Sequence, residues 1–176
     1  MSTRLVLKCC ATLVLSAAVV SSGLVYGLQK PGDEKGESAA SKKLKNRRTP
    51  PTQADIDKTL TLAGLLDKKA KSDWSETKAA VIEGYVVQIE KEDDGDIHIV
   101  LADDRQESDT NKWMIVEVTS AWRKRKTSLS DARLRQLHNK KIRVTGWLFY
   151  EPEEEHADPR GTRWELHPVT DVSVVQ

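Results

Sequence analysis

Trp164–Val175 reads WELHPVTDVSVV, and an earlier stretch, Gly95–Leu101, reads GDIHIVL. Both are rich in β-branched or aromatic residues and both alternate apolar with polar side chains, which predicts strands. On a strand, residues i and i+2 project from the same face. Asp96 and His98 therefore share one face of the earlier segment, and Glu165 and His167 share one face of the later. Ile97, Ile99 and Leu101, or Trp164 and Leu166, take the opposite face. Two carboxylate–histidine pairs on two core strands are the chemistry the chain offers.

Working outward, Lys78–Glu90 contains AVIEGYVVQI and predicts a first strand. Its internal glycine, Gly84, is the expected site of a bulge or bend. Glu92–Gly95, EDDG, is hairpin-turn chemistry leading into the second strand, Gly95–Ala102. Lys112–Val118, KWMIVEV, predicts a third strand after the polar loop Asp103–Asn111. Ser128–Lys140 predicts a helix, with Ser130 at its start and Leu129 and Leu134 placed as a hydrophobic staple. Lys141–Tyr150, KIRVTGWLFY, is a fourth strand kinked at Gly146, and Trp164–Val175 is the fifth. The order β-β-β-α-β-β predicts a mainly β, OB-like five-stranded Greek-key barrel over 78–176. A meander with an attached helix is the competing architecture.

The 176 residues leave room for one domain plus appendages, and a net charge of +1 supplies no global field towards nucleic acid or membrane. Cys9 and Cys10 are the two cysteines, which excludes a disulfide framework, a cysteine zinc site and a thiol nucleophile from the rest of the chain. Residues 1–30 predict a signal peptide or uncleaved signal anchor, because Arg4 and Lys8 precede the uncharged run Ala11–Leu28. That run is about long enough to span a bilayer. The predicted location is periplasmic or extracellular, or membrane-anchored with the domain outside the cytoplasm. Residues 31–53, rich in Gly, Ser, Lys, Glu and Pro, predict a disordered polar linker, and its cluster Lys42–Arg48 reads as solvated. Residues 54–77 predict a short helix and connector, with Ile56, Leu60 and Ala63 on one face and Gly64 interrupting it.

GYVV in the first strand, DIHIVLAD in the second, VTGWLFY in the fourth and RGTRWELHPVTDV at the end follow one another in that order. Together they resemble a group of functionally uncharacterised exported bacterial proteins with an OB-fold-like domain ending in a Trp-Glu-x-His-Pro-Val-Thr motif. The resemblance runs from about Ala79 to Val174. It implies the fold and the export, and names no ligand. Some members carry cysteines near the second strand, which this chain lacks.

Asp96, His98, Glu165 and His167, with His156 in the loop between the fourth and fifth strands, form a candidate metal or polar cluster. Imidazole and carboxylate ligate zinc and other divalent ions, and a site with an open position activates water. A phosphodiesterase- or nuclease-like hydrolase is therefore one function class. However, in an OB barrel the second and fifth strands both flank the third. Two strand spacings are about 10 Å, so the pairs need not meet. Without an HExxH pair or a catalytic thiol, the reading favoured by the residues is that His98 and His167 lock strand ends structurally. The chain then acts as a binding or structural module for an unknown ligand, with no cofactor required. Trp122, Arg123, Lys124, Arg125 and Lys126 are a candidate ligand-binding patch, whose bland counterpart is a solvated loop. The acidic loops Glu92–Gly95 and Glu151–Glu155 oppose a phosphate backbone, which counts against nucleic acid as the partner. Trp147 and Phe149 are expected to pack beneath the Ala54–Lys71 segment rather than to form an exposed stacking platform.

Overall fold

The computed structural model describes residues 38–151 and 159–176. The expected signal or anchor segment and His156 lie outside the described residues. Among the described residues, no helix is long and apolar enough to cross a membrane.

Five strands close into a barrel: β1 (Ala79–Lys91), β2 (Ile97–Ala102), β3 (Met114–Val118), β4 (Lys141–Tyr150) and β5 (Trp164–Val174). The order around the barrel is β1-β2-β3-β5-β4, closed by β1 against β4. Every pairing is antiparallel except β3 with β5, which run parallel where Val116 meets Leu166. This is the OB-fold. Alternate residues fill the interior: Ile97, Ile99 and Leu101 from β2, Met114, Val116 and Val118 from β3, and Ile142, Val144 and Leu148 from β4, with Leu166 from β5. The intervening residues, including His98, Glu117, Glu165 and His167, therefore project from the outer face.

The two strand glycines act differently. At Gly146 the register shifts on both sides, and a Cβ there would lie 2.9 Å from Leu166 Cβ, so the expected kink is present. In β1 the register shift falls between Val86 and Gln88, not at Gly84. Gly84 instead permits close packing, since its Cβ would come 3.1 Å from Leu62 Cδ2 and 3.2 Å from Ala102 O. Gly95 takes φ +89° in the turn between β1 and β2.

Three helical readings need correction. The single helix expected over Ser128–Lys140 is broken into a 3-10 turn (Thr127–Leu129), an α-helical turn and a second 3-10 turn (Arg135–Leu137). Its buried leucines, Leu129, Leu134 and Leu137, do not follow one continuous 3.6-residue repeat, and Asn139 at φ 63° ends the run. A helix at Ser120–Arg125, unforeseen, starts where the Thr119 side chain accepts from Trp122 N. Within 54–77 the α-helix is confined to Leu62–Asp67, capped by Thr61, and is followed by a 3-10 turn at Lys71–Asp73. Ile56 instead forms a parallel bridge with Ala79, and Asp57 Oδ1 accepts from Thr59 N at 2.9 Å, a local bond that competes with helix. In chain order the helices are α1 (Ala39–Lys45), α2 (Leu62–Asp67), α3 (Ser120–Arg125) and α4 (Asp131–Leu134).

Residues 38–53, the described part of the linker expected to be disordered, take up defined structure against the barrel. Ser38 caps α1, and the chain beyond it lies along the outer face of β4 and β5. Composition missed this because the contacts are polar and come from the barrel side, as described below.

Gly161, in the loop entering β5, tests the packing. Its N–H donates to Trp113 O at 2.8 Å, and a Cβ would sit 2.0 Å from the backbone oxygen of Asn111. Gly161→Ala should destabilise the protein by about 2 kcal/mol or more, through displaced backbone. Urea denaturation measures it, and Gly95→Ala, with open space around its Cβ but a positive φ, is the comparison for pure backbone strain.

Candidate functional site

Register alone brings the two carboxylate–histidine pairs together. His98 lies directly opposite Glu117 on the antiparallel β2–β3 ladder. Val116 lies beside Leu166 on the parallel β3–β5 pair, which sets Glu117 beside His167 on the outer face. His98 Nε2 donates to Glu117 Oε2 at 3.0 Å, and His167 Nδ1 lies 3.0 Å from the same oxygen. His167 Nδ1 is also 3.2 Å from Glu165 Oε1, and Arg160 Nη1 donates to Glu165 Oε2 at 3.1 Å. Glu92 Oε1 stands 3.4 Å from His98 Nδ1. The result is a continuous network, Glu92–His98–Glu117–His167–Glu165–Arg160, with its central members almost wholly removed from solvent.

The sequence left open whether the pairs meet; they do, across β3. The strand between them carries the carboxylate that joins them. Glu117 was overlooked, although the alternation in KWMIVEV places it outward, opposite the side of Met114, Val116 and Val118. Asp96 precedes β2 and accepts a hydrogen bond from Ser120 N at the start of α3. Glu151, at the end of β4, meets Lys45 of α1 at 3.1 Å.

Proton affinities follow from burial and neighbouring charge. Burial alone would lower His98, but the hydrogen bond and charge of Glu117 outweigh it and raise the imidazole to about 9. His167 is fully buried, yet Glu117 and Glu165 raise it to about 10. The two imidazolium groups hold Glu117 well below the ordinary carboxylate range despite its burial. Glu165 is likewise lowered, by His167 and Arg160. Asp96 is pushed up to about 7 by burial and by the Glu117 charge. Glu151 is pushed up to about 9 by burial and by Glu165, with Lys45 opposing.

Asp96, Glu117 and His167 each offer one ligand atom, all within 4.8 Å of one another, so these three residues have the donors for a divalent cation. His98 and Glu165 adjoin them through the hydrogen bonds just given.

The basic patch is not one surface. Trp122 is buried, and its indole Nε1 donates to Arg47 O at 3.0 Å. Arg123 reaches inward to Asp131 and to the Gly95 carbonyl. Arg125 Nη1 donates to Arg48 O at 2.6 Å, and Lys126 Nζ pairs with Asp171 at 2.5 Å. Lys124 is exposed. Four of the five side chains thus tie α3 to its surroundings. Trp147 and Phe149 pack under residues 45–49, whereas Ala54–Lys71 was the expected cover. Lys45 Nζ lies 5.1 Å from the Phe149 ring centroid and the Arg47 guanidinium 4.5 Å from that of Trp147. The Phe149 ring also leans on His167 at 5.8 Å.

His167→Ala should cost about 3–5 kcal/mol in urea denaturation, because it leaves Glu117 and Glu165 buried with one cation fewer. The pH dependence follows from the same groups. The contributions of His98 and His167 are complete below about pH 6.5 and are lost as pH rises through about 9 and about 10. The raised carboxyls Asp96 and Glu151 act in the same direction, while Glu117 and Glu165 lose their contribution only as pH falls below the ordinary carboxylate range. Stability should peak at mildly acidic pH and decline steadily towards pH 10. The alkaline limb should be shallower in His167→Ala.

No family model matches the chain, and no curated protein matches it. Among solved structures it is similar to asparaginyl-tRNA synthetase from Entamoeba histolytica in complex with asparaginyl-adenylate, at 15% identity and TM-score 0.41, over 60% of this chain and 22% of that one. A putative aspartyl-tRNA synthetase from Leishmania major Friedlin matches at 11% identity and TM-score 0.39, over 73% of this chain and 22% of that one. The aspartyl tRNA synthetase of Entamoeba histolytica matches at 14% identity and TM-score 0.36, over 72% and 26%. The chain thus spans about a quarter of these proteins or less, and similarity of this size says nothing of what it binds.

Proposed function

We infer that the protein is an exported or membrane-tethered OB module that binds its ligand on the outer face of β3, β4 and β5. One observation carries this reading. That face gathers Phe149, Trp147 and a buried ionic network, and the polar residues 45–49 already lie across its aromatic part. The histidines serve this face as fixed cations. Glu117 and Glu165 favour the protonated imidazole at both positions. The export half of the reading rests on Arg4, Lys8 and the apolar run Ala11–Leu28, and on the resemblance to exported proteins.

A second reading has its own observation. Asp96, Glu117 and His167 are close enough to share one divalent ion, and binding would relieve the repulsion between Asp96 and Glu117. A metal there would act as Lewis acid or activate water in phosphodiester hydrolysis.

Untagged full-length protein separates the two readings by metal analysis and ligand titration. The binding-module reading expects no stoichiometric metal and no phosphodiester turnover. It also expects a rise in Tm with one class among peptide, glycan and single-stranded oligonucleotide panels, weakened by Trp147→Ala. Stoichiometric zinc or manganese, lost in both Asp96→Ala and His167→Ala and accompanied by turnover, would replace it with the hydrolase.

A further inference from the structure

Residues 45–49, Lys-Asn-Arg-Arg-Thr, cross the outer face in a way that resembles a bound peptide. Three successive carbonyls are each read by a barrel-side donor. Arg47 O accepts from Trp122 Nε1 at 3.0 Å, Arg48 O from Arg125 Nη1 at 2.6 Å, and Thr49 O from Trp147 Nε1 at 3.0 Å. Two cationic side chains, i and i+2, have separate seats. Lys45 Nζ bonds Glu151 Oε1 and stands over Phe149. The Arg47 guanidinium stacks on Trp147, and its Nη2 donates to Glu76 O at 2.6 Å. Main-chain reading combined with separate side-chain seats is how grooves recognise peptides, and here the first seat is filled by the last residue of α1 while the main chain is read just beyond it.

The seats belong to the barrel. Trp122 is part of the hydrophobic core, Phe149 and Trp147 stand on β4, and Glu151 follows it directly. The segment that fills them is held differently. Of residues 38–50 only Lys45 is buried, so little apolar area opposes local opening. The fit is also incomplete, because Arg47 Nη1 is buried with no hydrogen-bond partner among the described residues.

We propose that the groove beneath residues 45–49 is a recognition site for basic peptides of Lys-x-Arg pattern, and that the chain's own segment is its resident, displaceable ligand. This rests on the binding-module reading and names the ligand class. Indole donors read the main chain irrespective of sequence, whereas the two seats select cations two residues apart. The ordered residues 38–49 then regulate the site, since a competing peptide must displace a ligand tethered in cis.

The test uses full-length protein and a fluorescent peptide of residues 38–51. In the wild-type chain the tethered segment competes at high effective concentration, so the added peptide should bind weakly. In Lys45→Ala/Arg47→Ala it should bind at least about tenfold more tightly, the resident ligand having lost both anchors. Adding Trp147→Ala to that variant should abolish the gain, and a peptide with both cations replaced by alanine should not bind. Should the double variant fail to fold, Arg47→Ala alone, whose side chain is only half-buried, carries the same comparison. Equal binding to wild type and variant, or equal binding of the alanine peptide, overturns the proposal. Oligonucleotide or glycan binding to the opened chain without peptide binding overturns the peptide assignment and leaves the binding module standing. If no class binds to either chain, both fail.

Discussion

One carboxylate oxygen, Glu117 Oε2, receives both imidazoles that the barrel brings to its outer face. The rest of the site depends on that arrangement. A carboxylate removed from water stays ionised only where neighbouring charge and hydrogen bonds offset the loss of hydration. Here two imidazoles do so, and each stays protonated because Glu117 is ionised. Glu165 extends the same reciprocity to Arg160, and the chain of alternating charges ends where Glu92 returns to solvent. Such a network sets geometry as much as stability. It fixes the relative positions of three strands on a face where apolar packing would leave register less tightly specified.

The same face explains why the segment before the barrel is ordered. Lys45 approaches Glu151, a carboxyl crowded by Glu165, and its ammonium lies over Phe149, whose ring leans on His167. The cation therefore sits one contact away from the ionic network. Two indoles supply donors that need an acceptor, and the backbone carbonyls of Arg47 and Thr49 provide it. Polar complementarity orders a stretch whose composition alone would leave it in solvent.

How far the sequence reveals this depends on the range of the interaction concerned. The five strands were legible because alternation is local, and their order implied the barrel. Lys141–Tyr150 matched residue for residue, and no other strand end moved by more than two residues. Asp96, His98, Glu165 and His167 were legible as pairs because i and i+2 share a face. Their meeting was not, because it depends on Glu117 and on the parallel β3–β5 register, a long-range contact with no local signature. Likewise Trp122–Lys126 was visible as a basic aromatic cluster. Its role as a set of ties required knowing that Asp131, Asp171 and the carbonyls of Arg47 and Arg48 lie within reach. Charge patterns show what a residue can pair with, and topology decides whether it does.

The parallel seam between β3 and β5 has a kinetic consequence. The β2–β3 hairpin can form early, since His98 and Glu117 are 19 residues apart and joined by one loop. The second imidazole arrives only when β5 closes against β3 across the intervening helical segment and β4, a slower, higher-contact-order event. Until closure Glu117 has a single cationic neighbour and His167 is an ordinary solvated imidazole, mostly uncharged at neutral pH. Completing the barrel is then linked to proton uptake, which couples the closure of this chain to the acidity of its surroundings.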